Sequence, residues 1–494
     1  MTAPWVDPGP PTVPPALQVP ADRLPVGPDG VAVAGSAPVR FPYDGSTVAA
    51  APVGDAALAT LAVDHAVAAR PAGAATTAGI RRAVLTDVAD WMRQHGPALV
   101  DLLVAETGKP RVDCQVEVTR TILTWSLAAE EPARPLGETI PVDLLPGADG
   151  MTAFWTRRPA GVVVGIAGFN YPLLLASHKL APAVAAGCPV IVKPAPTTPL
   201  ATLALVEAVR DALRRHGRPV TLAQAVTGDT AVGVALTTDE RVAVVSFTGS
   251  AGVGHAIARA AAPRKVLLEL GSNASLLVAD DADLDAAADA VLRGGFYASG
   301  QACISVQRVI AARTVAAELA ERVRRRLPEV RVGDPRDPAT RVSTLIDDAA
   351  TRRVRSWVDD ALAAGATVAA GRHGADGPLE PLILADVPSG VAVWDEEVFG
   401  PVVCLRTVDT FEEGLELANR TRYGLHASVF TRSLARAYRA IDELEVGGVI
   451  VNEVPGFRSD AMPYGGVKDS GIGREGPHWA VQEFTVTRTA VIRP

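Results

Sequence analysis

The sequence predicts an α/β fold, a doubly wound parallel sheet with helices on both faces. Two observations carry this. From residue 160 onward, short β-branched or aliphatic runs alternate with helical patterns, the mark of strands buried on both sides. Hydrophobic residues make up 48% of the 494 and charged residues 21%, enough apolar surface for several cores and incompatible with general disorder. That length suggests two to four domains.

The elements follow in chain order. Nine prolines fall in the first 30 residues, so residues 1–30 read as an extended, proline-rich arm outside any core. Residues 54–134 read as helices at 55–69, 77–94, 97–106 and 112–131, punctuated by Gly96-Pro97 and Gly108-Lys109-Pro110. Then strand 161–167 leads to helix 173–186, strand 189–193 to helix 199–216, strand 219–226 to helix 229–237, and strand 241–247 to helix 251–262. A second alternating block opens near Leu267. It holds strand 275–279, helix 283–299, strand 305–312, helices 314–327 and 348–364, and strands near 381–384 and 401–408. From Gly447 the chain reads as glycine-rich and strand-like.

Composition narrows the function. A net charge of −8 is unsuited to nucleic acid. The uncharged stretch from Pro159 to His178 is long enough to span a bilayer, yet it divides into a β-branched strand, a Gly168–Pro172 turn and the start of a helix. No membrane role is expected. The four cysteines, Cys114, Cys188, Cys303 and Cys404, show no C-x-x-C spacing. Neither a metal site nor a disulfide framework is expected, and the compartment reads as the reducing cytoplasm, with no signal peptide at the start.

Chemistry gathers around Gly300-Gln301-Ala302-Cys303 and Glu269-Leu270-Gly271. A cysteine attacks a carbonyl as its thiolate, and a nearby carboxylate can activate water. Taken singly, a Cys and a Glu are more often a core thiol and a surface acid. Asn170, in Phe169-Asn170-Tyr171-Pro172, follows a strand and opens a helix, where its amide suits an oxyanion or merely a helix cap. Lys193 ends the next strand, within reach of a nucleotide ribose or simply of solvent. Gly249 and Ser250 open a helix after a third strand, a favourable place for a pyrophosphate.

In order along the chain these segments resemble the aldehyde dehydrogenase superfamily. Further matches are Glu106-Thr107-Gly108-Lys109-Pro110, Glu396-Glu397-Val398-Phe399-Gly400-Pro401, Pro463 to Gly471, and Gly473-Arg474-Glu475. The resemblance runs from about Phe41 to the C-terminus. It implies an aldehyde dehydrogenase-like fold: a Rossmann-type nucleotide-binding domain over 31–139 and 159–268, an α/β catalytic domain over 269–479, and a β oligomerisation extension over 140–158 and 480–494. Part of the catalytic segment, about 440–479, is open to returning to the nucleotide-binding side. A homodimer or homotetramer is implied. So is NAD(P)-dependent oxidation of an aldehyde to a carboxylic acid, with Cys303 as nucleophile, Asn170 and the Cys303 N–H as oxyanion donors, and Glu269 as the base that hydrolyses the thioester. Glu397 and Phe399 match positions that hold the nicotinamide ribose and ring, while Phe169, Gly249, Ser250 and Gly271 complete the cofactor site. Lys179 and Glu475 match a proton-relay pair that could equally be an ordinary salt bridge.

Three departures refine the reading. Pro196 stands where NAD-preferring members often carry a ribose-binding Glu, which leaves NADP open beside NAD. Ser272 replaces a usual glycine after Gly271. The 455–464 segment and the residues around Cys303 look like the subgroup of lactaldehyde, phosphonoacetaldehyde and non-phosphorylating glyceraldehyde-3-phosphate dehydrogenases. A small polar aldehyde is implied, lined by Arg120, Tyr171, Leu174, Ala302, Ile304, Phe457 and Arg458. Arg120 and Arg458 suit an anionic group or local salt bridges. Ala302, where phosphate-handling members often have Arg, argues against a phosphorylated substrate. A coenzyme A-acylating enzyme and a non-catalytic structural member are the alternatives.

Overall fold

The computed structural model describes residues 5, 7, 9–134, 137–374 and 377–494; of the proline-rich arm, residues 1–4, 6 and 8 lie outside the described residues. Two large sheets organise the chain. The first has six strands in the order Gly471–Ile472, Lys265–Glu269, Val242–Thr248, Val162–Ile166, Val190–Lys193, Ala223–Ala225. All neighbours are parallel except the antiparallel pair that sets Gly471 opposite Glu269. The second has seven, in the order Thr367–Gly371, Leu382–Ala385, Val402–Val408, Arg308–Ala312, Ser275–Val278, His426–Phe430, Gly448–Val451, parallel but for the first pair.

Strand periodicity explains how the second sheet is covered. Leu276, Val278, Val309 and Ala311 join one apolar core and Leu277 and Ile310 the other, since alternate residues of a strand face opposite sides. The first sheet is packed with the N-terminal helices into a single core. A third, antiparallel sheet joins Thr485–Ile492, Thr152–Pro159 and Gly137–Ile140, and so draws in strand residues ahead of position 140.

Four expectations are corrected. The proline-rich segment does reach the core: Leu17, Leu24 and Val26 are buried. Polar anchors hold it there, with Gly27 N–H donating to Gln224 at 2.9 Å and Arg210 donating to the Gly27 carbonyl at 3.0 Å. Gly96-Pro97 does not break its helix, which runs Ala78–Thr107. An interior proline costs about 3 kcal/mol, but Leu99, Leu102 and Leu103 beyond it are fully buried, and each such side chain returns roughly 1.5–3 kcal/mol. The strand expected over 219–226 is a 3₁₀ turn at Val220–Leu222 followed by the short strand Ala223–Ala225. The C-terminal region contains a helix, Pro477–Glu483, started by Pro477 in its first turn. The uncharged stretch forms the strand Val162–Ile166 and the start of the helix Pro172–Ala186, and among the described residues no helix is long and apolar enough to cross a membrane.

Candidate active site

The loop that carries Cys303 is held in an unusual conformation. Ala298, Ser299 and Gly300 are successively left-handed, with φ of 49°, 57° and 74°, which is costly for residues with a Cβ. Hydrogen bonds from outside hold the turn. Asp113 accepts from Ala298 N–H at 3.0 Å, Ser299 Oγ accepts from Ser343 N–H at 2.9 Å, and Gln301 Oε1 accepts from Ile346 N–H at 3.0 Å. At Gly300 a Cβ would lie 2.1 Å from the Gly400 carbonyl oxygen. The turn therefore delivers Cys303 to the floor of a cavity of about 330 Å³.

Asn170 comes to the same cavity from the end of Val162–Ile166. Its amide donates to the Gln301 carbonyl at 2.8 Å, two residues from the thiol. An amide nitrogen carries two N–H groups, so the second is available for a substrate oxygen. Glu269 enters from the end of Lys265–Glu269, two strands away in the same sheet, and neither carboxylate oxygen has a hydrogen-bond partner among the described residues. Burial, and then the nearby Glu475, hold its carboxyl well above the usual range against Arg458, Lys179 and Arg474. Glu475 goes the other way. Burial would raise it, but Lys179 and His178 outweigh that and hold it well below. Lys179 binds Glu475 directly and donates to Thr248 Oγ1 at 2.6 Å. The Cys303 thiol is pushed up to about 12 by desolvation, with the Tyr464 hydroxyl, 3.2 Å away, opposing.

A second group of residues fits a dinucleotide. Gly249 and Ser250 line the cavity at the start of the helix Ala251–Ala261, and Ser250 makes no side-chain capping bond, leaving first-turn N–H groups for an anion. At Gly271 a Cβ would lie 2.7 Å from Glu397 Oε2, so a side chain there would displace the Glu397 carboxylate. Glu397 accepts from Ser272 N–H at 3.0 Å, and burial raises its carboxyl to about 7. Phe399, with φ of 50°, meets Phe169 edge to face at 5.8 Å. Ser272 thus contributes a backbone N–H to this group.

Arg120, Tyr171, Leu174, Ala302, Ile304 and Arg458 also line the cavity. The two arginines share one buried acid: Arg120 donates to both oxygens of Asp460, at 3.1 and 3.4 Å, and Arg458 lies 3.4 Å from Asp460 Oδ1. Four expected residues lie off this cavity. Lys179 is behind Glu475. Lys193 is buried at the end of its strand, where desolvation lowers its ammonium pKa, and Pro196 is exposed on the following loop. Phe457, 50% exposed, lines a neighbouring outer cavity with Arg120 and Arg458. Sequence reasoning missed Asp460, His178, Tyr464 and Arg353. His178 is buried between Asp460 at 3.0 Å and Glu475 at 3.1 Å, and Arg353 donates to the Val398 carbonyl at 2.7 Å. Tyr464 and Asp460 lie in the 455–471 segments that carry the resemblance, which gives neither a role, and no local motif marks His178 or Arg353. Among the described residues no cluster of His, Cys, Asp and Glu suits a metal ion.

Residues 32–490 match the aldehyde dehydrogenase family. The chain is 38% identical over 413 residues to a 3-sulfolactaldehyde dehydrogenase from Priestia aryabhattai, covering 83% of this chain and 86% of that protein. Aldehyde dehydrogenase 21 from Physcomitrella patens, solved with the reaction product succinate, superposes with a TM-score of 0.92 at 35% identity, over 98% of both chains. Glyceraldehyde-3-phosphate dehydrogenase GapN from Methanocaldococcus jannaschii, solved with NADP, superposes with a TM-score of 0.89 at 32% identity, over 93% of this chain and 100% of that one. The chain belongs to the aldehyde dehydrogenase family and is an oxidoreductase.

Proposed function

We propose that the chain oxidises a small polar aldehyde to its carboxylic acid through a thioester on Cys303. The observation that carries this reading is the convergence of a thiol, an amide donor and an unpartnered buried carboxyl on one cavity. Cys303 Sγ adds to the carbonyl carbon, and the electron pair that moves to oxygen is held by Asn170 and by the Cys303 N–H. The nicotinamide, when bound, supplies the hydride acceptor. Gly249, Ser250 and Gly271 would let it approach, Glu397 would hold its ribose, and Phe169 and Phe399 would wall its ring. The thioester left on sulfur is opened by water, from which Glu269 takes a proton. Lys179 and Glu475 carry that proton away from the base. The buried Glu269 favours water over coenzyme A as acyl acceptor.

Arg120 and Arg458 both reach the cavity, Arg120 paired with Asp460 and Arg458 lying between Asp460 and Glu475, and guanidinium donors at this wall favour a polar or anionic group at the far end of the substrate. The relative named for 3-sulfolactaldehyde and the relative solved with succinate support the same class. Ala302 supports a substrate without phosphate. Lys193 would reach the adenosine ribose. Pro196 puts no carboxylate against a 2′-phosphate, which supports use of NADP as well as NAD. Four free cysteines support a cytoplasmic enzyme, and the third sheet, with two strand edges open, supports a homo-oligomer.

One assay tests the reading. Reduced nicotinamide is followed with lactaldehyde, 3-sulfolactaldehyde, succinic semialdehyde, glyceraldehyde 3-phosphate, hexanal and benzaldehyde, each with NAD and with NADP, and with or without coenzyme A. The expected result is highest kcat/KM among the small polar aldehydes without phosphate, and turnover with NADP. Preference for the apolar aldehydes, a requirement for coenzyme A, or strict use of NAD would each overturn the corresponding part.

A further inference from the structure

We propose that the Tyr464 hydroxyl is a catalytic hydrogen-bond donor to the Cys303 sulfur, which it stabilises as thiolate and aims into the cavity. This deepens the reading above and rests on Cys303 being the nucleophile. The two atoms are 3.2 Å apart, and Tyr464 is 3% exposed. Its ring is held from several directions. The backbone exchanges two hydrogen bonds with Glu475, at 3.1 and 2.6 Å. The His426 ring meets it edge-on at 5.0 Å, and the Arg458 guanidinium lies 3.6 Å above its face. A ring fixed this way has its hydroxyl set against Sγ before substrate arrives.

The direction of the hydrogen bond follows from the charges. A thiolate only accepts, so the phenol must donate. Burial, followed by Cys303 itself, keeps the Tyr464 hydroxyl well above its usual range, so it retains its proton wherever the enzyme works. Desolvation is what disfavours the thiolate, and Glu397 and Glu269 add to it. The Tyr464 hydroxyl is the largest opposing influence and Arg458 the next. The cation over the ring face draws π density from it and sharpens the O–H as a donor. Phenylalanine would keep every ring contact and lose only this donor, so the hydroxyl can be tested apart from the packing.

The test is alkylation of the unliganded enzyme by iodoacetamide between pH 6 and 10, read as the mass of the Cys303 peptide. A hydrogen bond to a charged acceptor is worth about 1.5–3 kcal/mol, so Tyr464→Phe is expected to move the profile up by about one to two pH units. Aldehyde turnover should fall most on the acid side, with KM nearly unchanged. The unfolding midpoint should stay near that of the wild type. Replacing Tyr464 with 3-fluorotyrosine, a more acidic phenol, is expected to move the profile down, and keeps the proposal testable if the phenylalanine variant folds poorly. Coincident profiles for all three proteins would overturn the proposal. Equal labelling of Cys303 and buried Cys404 in the wild type would overturn the reading of Cys303 as nucleophile, and this inference with it.

Discussion

Among the described residues both oxygens of Glu269 are buried without partners, which sets the function proposed for this side chain against stability. Its carboxyl lies well above 4.5 in the folded chain, from burial and then from Glu475. Between 4.5 and that raised value the folded state holds a proton that the unfolded state has lost, so stability falls as pH rises through the window. Glu269→Gln removes this ionisation. Its unfolding midpoint should therefore exceed that of the wild type at pH 8 and converge with it near pH 4, while turnover falls about 10²–10⁴-fold. A lower midpoint at pH 8 would contradict the strain. At this scale the motifs singled out Cys303, Glu269 and Asn170, which the fold brings to one cavity. The sequence drew attention to the segments holding Asp460 and Tyr464 without giving either residue a role, and it passed over His178, because their partners lie far off in the chain: Arg120 reaches Asp460 across 340 residues, and His178 across 282.

The element that decides whether Cys303 is usable is the turn before it. Three left-handed residues in succession, and Gln301 after them, are held by Asp113 from one part of the chain and by Ser343 and Ile346 from another. Gly300→Ala should cost about 1–3 kcal/mol from backbone conformation alone, and its Cβ would also meet the Gly400 carbonyl at 2.1 Å. A soluble variant should show a lowered unfolding midpoint and a loss of Cys303 alkylation together; an unchanged labelling rate would mean that the turn tolerates a side chain. Periodicity and capping made most helices and strands legible. They failed where long-range burial outweighs local preference, as in the helix that runs on through Pro97, and where an element is too short to show a period, as in Gly471–Ile472, which pairs with the strand carrying Glu269.

Across the whole molecule, the three-stranded sheet stands apart from the two large ones, and its middle strand Thr152–Pro159 pairs along its full length with Thr485–Ile492. The outer strands Gly137–Ile140 and Thr485–Ile492 each have one edge open, and Val486, Val491 and Ile492 are 40–54% exposed. Nearby, Leu144 and Leu145 are 86% and 69% exposed. Open edges flanked by exposed aliphatic residues are a liability in a lone chain and suit pairing with a second copy. The full chain should therefore sediment as a dimer or tetramer. Removing residues 485–494 strips one whole strand from this sheet but leaves the cavity-lining residues in place, since none lies beyond Glu475. The shortened protein is expected to sediment as a monomer while Cys303 still reacts with iodoacetamide. An undiminished oligomer after truncation would move the interface to another face, and a full-length monomer would remove the role given to this sheet.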